Sequence, residues 1–168
     1  MPSIHRRNIS HSHSIYSFYK YSEIELLLKT KYSYLGTSIY TILAKNSFSI
    51  FAKKFQFTNS VYVFGIDDVI KHGYSHTAIL ARSMKTDILK PVFGSIRAKN
   101  SVKYAGKSLD FRLKNPREFQ YNFKGGIDAI LVDDIITTGA TLQEAKITLE
   151  KHGVNVLFSL TIADAKET

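Results

Sequence analysis

The chain lacks cysteine altogether. A disulfide framework and a thiolate zinc site are thereby excluded. It also lacks any apolar run long enough to cross a bilayer as a helix. Its first residues, Met1 to Arg7, are basic with no apolar core behind them, which is not the pattern of a secretory signal. No internal repeat and no low-complexity segment is visible. These absences leave a cytoplasmic protein as the expectation. What remains is an ordinary globular composition, with 44% of 168 residues apolar, enough for one domain with its own core.

Negative charge is scarce over most of the chain, whose net charge is +9. Residues 1–60 carry 8 basic and 2 acidic side chains, and residues 61–126 carry 12 and 5. Residues 127–168 reverse the balance, with 3 and 7. The sharpest basic stretch is Arg97 to Arg117, with seven Lys or Arg and one Asp. Such asymmetry fits a polyanionic partner such as nucleic acid. A solvated surface fits it equally.

Residues 1–13, with His5, Arg6, Arg7, His11 and His13 among serines, read as a flexible, frayed terminus. Ile15 to Tyr21 is aromatic and strand-like. Ser22 with Glu25 predicts a capping box, opening a helix to about Tyr32. Gly36 breaks it, and a second helix is expected from Thr37 to Phe55. Val61 to Ile66 reads as the first core strand, Tyr74 to Leu89 as a helix, and Pro91 to Arg97 as a strand. Lys99 to Pro116 is polar and basic and reads as a long mobile loop of the functional kind. A short strand is expected over Phe119 to Phe123. Asp128 to Val132 is expected as the central strand, Thr141 to His152 as its helix, and Val154 to Ala163 as the last strand. Alternating strands and helices imply an α/β fold, a parallel twisted sheet covered on both faces.

Residues 130–141, Ile-Leu-Val-Asp-Asp-Ile-Ile-Thr-Thr-Gly-Ala-Thr, are the most informative stretch. The apolar run reads as a strand buried on both faces, with Asp133 and Asp134 at its carboxyl end. Ligands of open parallel sheets bind outside those ends. The turn that follows opens a helix, whose first N–H groups and dipole favour an anion. Thr137, Thr138 and Thr141 add hydroxyl donors, and Gly139 lets the backbone come close to a ligand. One loop thus offers acceptors for a polyol and donors for a phosphate, the two groups of a ribose 5-phosphate. A plain strand–turn–helix junction with a capping threonine is the structural alternative.

The same stretch resembles the phosphoribosyl-pyrophosphate (PRPP) loop of the type I phosphoribosyltransferases. That pattern is an apolar run, two acids, two apolar residues, then Thr-Thr/Ser-Gly-x-Thr. The resemblance implies that Asp133 and Asp134 hydrogen-bond the ribose 2′- and 3′-hydroxyls and help to hold magnesium. It also implies that Ile136, Thr137, Thr138, Gly139, Ala140 and Thr141 wrap the 5′-phosphate. The implied domain has an N-terminal hood at 14–60 and a PRPP-binding core at 61–168.

Two further blocks narrow the resemblance. Gly73-Tyr74-Ser75-His76-Thr77-Ala78-Ile79-Leu80-Ala81 is similar to a block of the ComF family, phosphoribosyltransferase-like proteins linked to DNA uptake. Tyr104 to Phe119 resembles a second such block, and Leu28 to Gly36 a third. Tyr16 to Glu25 looks like members of the Helicobacter and Campylobacter type. The chain departs from the family in lacking its four-cysteine zinc ribbon, so no zinc is expected. It has His72 for the usual Arg, Ser75-His76 for Asn-Gln and Tyr104 for Gln. Val63 to Asp68 stands at the pyrophosphate-loop position, where Phe64 and Gly65 leave room for backbone donors. Asp67 and Asp68 there would repel pyrophosphate unless a magnesium ion intervenes.

The resemblance implies a ComF-type protein of natural transformation that binds PRPP, magnesium and single-stranded DNA. Its implied place is the cytoplasmic side of the inner membrane, as a peripheral partner of the DNA-uptake machinery. In transfer chemistry, Lys107 and Arg112 of the long loop are the implied catalytic residues. Lys103, Lys107 and Arg112 are the implied nucleic-acid contacts. Stacking platforms for bases would be Tyr32, Tyr34 and Tyr40 near Lys29 and Lys31, and Tyr104 beside Lys103 and Lys107. Two other classes stay open, a salvage transferase joining PRPP to a nucleobase and a non-catalytic PRPP sensor.

Overall fold

β-Branched and aromatic runs set the strands, and the turns between them fall at glycine and at polar clusters. The computed structural model describes residues 4–10, 13–66, 73–100, 111, 114 and 116–166. In chain order the described elements are β1 (His5–Ser10), β2 (His13–Lys20), α1 (Tyr21–Leu28), a 3-10 turn (Lys29–Tyr32), α2 (Gly36–Asn46), α3 (Phe48–Lys54) and β3 (Val61–Gly65). Then come α4 (His76–Ser83), β4 (Leu89–Val92), β5 (Ile96–Ala98), β6 (Phe119–Tyr121), β7 (Ile127–Ile136), α5 (Ala140–Lys151) and β8 (Val154–Asp164).

Six strands form one sheet in the order β1-β2-β8-β7-β3-β4. Every neighbouring pair is parallel except β1 with β2. β5 and β6 make a separate antiparallel ribbon. From β3 the chain passes through α4 to β4 on one side; from β7 it passes through α5 to β8 on the other. The direction of winding therefore reverses between β3 and β7. The carboxyl ends of those two strands border the crevice where an open sheet takes its ligand.

Side chains alternate across each strand, so the sheet has two cores. Val61, Val63, Ile130, Val132, Leu160 and Ile162 face Phe18, Leu28, Tyr40, Phe48 and Leu80 of the α1–α4 side. Phe64, Ile66, Ala129, Leu131, Val154 and Val156 face Leu142, Ala145 and Leu149 of α5, together with Ile96 and Phe119 of the ribbon. This is the α/β arrangement expected from the alternation of elements. None of the described helices is long and apolar enough to cross a membrane.

Several boundaries differ from expectation. Residues 5–10 form the edge strand β1 instead of a frayed end, and His13 is buried. The expected helix over 37–55 is two helices, because Ser47 has non-helical backbone angles and turns its hydroxyl onto the Leu43 carbonyl. α1 begins two residues early, capped at Lys20 instead of Ser22, with Glu23 reaching back to the Lys20 N–H. α4 stops at Ser83 because Leu89 is needed in the sheet, paired to Val61. Thr86 makes the reversal by accepting the N–H groups of Ile88 and Leu89. Gly94, at φ 66°, splits the expected strand over 91–97 into β4 and β5.

Candidate functional site

Strand alternation decides the geometry of the acid pair. β7 continues past Val132 through both carboxylates to Ile136. Asp134 shares the face of Ile130 and Val132, beneath the α1–α4 layer, whereas Asp133 shares the face of Leu131. Asp134 is 6% exposed and Asp133 is partly exposed.

Asp134 is fully engaged from the helical side. Lys31 Nζ, from the 3-10 turn, donates to its Oδ2 at 2.8 Å. The Tyr40 hydroxyl of α2 donates to the same oxygen at 3.2 Å. His76 Nε2, at the first residue of α4, lies 3.6 Å away. The other oxygen, Oδ1, accepts the Ile135 N–H at 2.9 Å. Burial alone would raise the Asp134 pKa; the Lys31 charge, His76 and hydrogen bonds with Lys31 and Asp133 outweigh it and hold the carboxyl below the usual range. Burial likewise works against the Lys31 ammonium, and the Asp134 carboxylate overrides it, raising the Lys31 pKa. Burial and the adjacent carboxylate together push the Tyr40 phenol up, so it acts as a donor.

Lys31 is itself held. Tyr74, just before α4, donates its hydroxyl to the Lys31 carbonyl. Ser33 N–H bonds the Thr30 carbonyl at 2.8 Å, and Gly36 N–H bonds the Ser33 carbonyl at 3.0 Å. Gly36 is required there, since a Cβ would collide with the Tyr74 hydroxyl.

Asp133 Oδ1 accepts the Asp134 N–H at 2.8 Å, close before the loop that follows β7. That loop carries the remaining expected residues. Ile136 is buried in the α5-side core, and its carbonyl accepts the Ala165 N–H. Thr137, Thr138, Ala140 and Thr141 are partly exposed. Gly139 turns the chain at φ 83°, a left-handed angle that favours glycine. A Cβ at Gly139 would strike Ile9, so β1 packs directly over the loop. α5 starts at once, with no side-chain cap from Gly139; the Thr138 hydroxyl accepts the Ala140 N–H at 3.3 Å at the helix start. The arrangement suits a phosphate on the loop and hydroxyls on a carboxylate.

The nearest ligand atoms of His76, Asp133 and Asp134 all lie within 4.8 Å of one another. Magnesium takes one or two carboxylates and fills its shell with waters and phosphate oxygens. Of the two carboxylates Asp133 is the more exposed, and Oδ2 of Asp134 is paired with Lys31.

Other expected residues are placed unevenly. Lys103, Tyr104, Lys107 and Arg112 lie outside the described residues, as do Asp67, Asp68 and His72. The ends of the basic stretch are described. Lys99 N–H bonds the Glu118 carbonyl at 3.2 Å, and Asn100 N–H bonds that of Arg117 at 3.0 Å. Glu144 of α5 accepts the N–H groups of Arg117 at 3.1 Å and Glu118 at 2.7 Å. The stem of that stretch is thus tied to the helix that begins at the 136–141 loop. Phe64 and Gly65 are buried, and Gly65 packs against the α4 backbone at Thr77. Tyr40 is fully buried, which removes it as a stacking platform; Tyr32 and Tyr34 are 56% and 91% exposed. Lys31 and Tyr40 as partners of Asp134 were not foreseen from the sequence. The signal was there, since neighbouring residues of a strand face opposite ways.

No protein-family model matches the chain, and no curated protein matches it in sequence. Solved structures do match. The adenine phosphoribosyltransferase of Trypanosoma brucei, solved with AMP, pyrophosphate and ribose-5-phosphate, is 14% identical with a TM-score of 0.50. That match covers 96% of this chain and 86% of the trypanosomal one. A hypoxanthine phosphoribosyltransferase from Staphylococcus aureus is 21% identical over 74% of this chain, with a TM-score of 0.47. The match spans 62% of the staphylococcal chain. An orotate phosphoribosyltransferase from Aeropyrum pernix is 21% identical over 76% of this chain and 60% of its own, with a TM-score of 0.44. The fold is that of the type I phosphoribosyltransferases.

Proposed function

We propose that the chain binds PRPP in the crevice at the carboxyl ends of β3 and β7. The observation that carries this reading is the position of the 130–141 motif. It lies at the point where winding reverses, with its acids at the strand end and its Gly139 turn opening α5. In this reading the acid pair Asp133–Asp134 serves the ribose, and 136–141 takes the 5′-phosphate on backbone N–H and threonine hydroxyl donors. Magnesium, held by Asp133 and by pyrophosphate oxygens, would neutralise the leaving group. Transfer would break the bond from ribose C1 to the pyrophosphate oxygen and form one from C1 to a nucleobase nitrogen. Lys107 and Arg112 would close on the pyrophosphate and exclude water.

Thermal denaturation tests the reading. PRPP with magnesium at about a hundred times its Kd should stabilise the fold by about 2.7 kcal/mol. Ribose 5-phosphate should give a smaller rise, and Gly139→Val should abolish both. A midpoint that PRPP leaves unchanged at millimolar concentration contradicts it. Pyrophosphate release on adding individual nucleobases separates a salvage transferase from a PRPP sensor.

A second reading, the ComF-type one, adds single-stranded DNA as ligand and a peripheral place at the inner membrane. It is supported by charge and by two exposed rings. No Asp or Glu occurs from Lys29 to Ile66, and Tyr32 and Tyr34 stand beside Lys29 and Lys31. Neutralising Lys103, Lys107 and Arg112 together should weaken oligonucleotide binding and flatten its salt dependence. An unchanged salt slope takes those residues out of the interface.

A further inference from the structure

We propose that the N-terminal strand pair β1–β2 braces the 136–141 loop, with Ile9 as the positioning residue that holds the Gly139 turn in place before a ligand arrives. The brace is independent of what the loop binds; its effect on a sugar phosphate rests on the PRPP reading.

Strand alternation builds the contact. β1 pairs antiparallel with β2, Arg7 opposite Ile15. Ile15 belongs to the core on the α5 side, and Ile9 packs against that core. Arg6 and Asn8, at the alternate positions, are exposed. The register of the pair shifts between Asn8 and Ser10, an irregularity of the kind that re-aims a side chain. Here the side chain is Ile9. A Cβ at Gly139 would overlap its Cδ1 and come within 2.8 Å of its Cγ1, so the isoleucine lies directly on the turn.

Two further ties bracket the loop. On the entry side, Arg7 Nη1 donates to Asp164 Oδ1 at 3.1 Å. Asp164 is paired across the β7–β8 ladder with Ile136, where the loop begins. On the exit side, His13 at the start of β2 bonds Gln143 at 3.1 Å. Gln143 N–H in turn bonds the Gly139 carbonyl at 2.9 Å. The strand pair thus reaches the neighbour of the loop's first residue, its glycine, and the helical turn that follows. Asp164 and His13 are 2% and 1% exposed, so both outer ties are shielded from water.

Glycine restrains its own backbone least of all residues. A binding loop ordered in advance spends less of its interaction energy on ordering when the ligand arrives. Ile9 supplies from outside the restraint that Gly139 lacks.

The test compares Ile9→Ala and Ile9→Val, which shorten the contact by steps, with Val156→Ala, which opens the same core near the start of β8. Urea midpoints report the stability lost in each. Calorimetry measures ribose 5-phosphate, PRPP with magnesium, and pyrophosphate with magnesium. Amide hydrogen exchange is followed at Ala140 and Gln143. Ile9→Ala should lose at least about tenfold in affinity for ribose 5-phosphate and for PRPP alike, some 1.4 kcal/mol. Its affinity for pyrophosphate, which has no 5′-phosphate to place on the loop, should stay within about twofold. Exchange at the two amides should rise at least about tenfold in Ile9→Ala and stay at the parent level in Val156→Ala, which also keeps both sugar-phosphate affinities.

Parent-like exchange in a folded Ile9→Ala overturns the brace. Parent-like affinity for ribose 5-phosphate in that variant overturns the positioning role. So does a rise in affinity, which would make Ile9 a block on the loop, or an equal loss for pyrophosphate. Should Ile9→Ala not fold, Ile9→Val, expected to lose about threefold in the same pattern, decides on the same readouts. A parent that binds neither sugar phosphate defeats the functional reading instead, and the exchange comparison still decides the brace.

Discussion

At the scale of single residues, the account turns on buried charge. Lys31→Met alone leaves Asp134 buried without its ammonium and should cost about 3–5 kcal/mol in urea unfolding. Linkage sets the pH range in which this pair stabilises the fold. The lowered Asp134 pKa means that its contribution is complete above about pH 4 and is lost as pH falls through the folded value. The raised Lys31 pKa means that its share is complete below about pH 10 and is lost only above that. Urea midpoints of the parent should therefore fall more steeply between about pH 4 and 2 than those of Lys31→Met/Asp134→Asn. Parallel profiles would show that the pair contributes nothing specific.

His13 gives a second pH signature, beneath the first turn of α5. It bridges Gln143 at 3.1 Å and Ser159 at 2.8 Å under α5. Burial lowers its pKa, opposed by the Gln143 bond and assisted by the Lys146 charge, with Glu150 pulling the other way. A lowered histidine stabilises fully above its ordinary value of about 6.5 and less as pH falls through the folded value. Denaturation between about pH 7 and 5 should show a loss in the parent that His13→Gln lacks.

Elements explain why some boundaries were legible and others were not. β7 and β8 were readable because apolar runs buried on both faces look alike from either side. That the sheet is parallel followed from the βα alternation, whereas the strand order did not. The break between α2 and α3 was not readable, because the pattern of apolar residues runs on through Ser47 and only its backbone angles depart. The role of β1 was hidden for another reason. His5, Arg6 and Arg7 look solvated in sequence, yet Arg7 pairs with Asp164 at 3.1 Å and Ile9 covers Gly139. Such contacts join positions more than a hundred residues apart. The strand–turn–helix junction at 130–141 was legible from its motif, whereas the partners of Asp134 came from another part of the chain.

The second turn of α5 carries a testable tie. Glu144 satisfies two successive N–H groups, at Arg117 and at Glu118, whose φ of 52° is uncommon for a residue with a side chain. Glu144→Ala strips both partners and should cost about 1–3 kcal/mol. It should also speed exchange of those two amides ahead of the rest of β6. A variant with parent-like exchange at 117 and 118 would show that Glu144 is not what holds them.

For the whole molecule, charge and fold divide the labour. The acidic C-terminal quarter supplies β7, α5 and β8, and with them the acid pair and the loop. The basic remainder supplies the turn and helices on the opposite face and the residues of the long basic stretch. An anionic ligand would enter between them, drawn by the positive side and oriented by the carboxylate. The measurement that tests the central claim most directly is calorimetric titration of PRPP with magnesium into the parent and into Asp133→Asn, each shown to be folded. Saturable binding by the parent and a loss of at least about thirtyfold in the variant, some 2 kcal/mol, is the predicted result. Absent binding by the parent, or equal affinity in the two, would contradict the claim that this crevice reads a phosphorylated ribose.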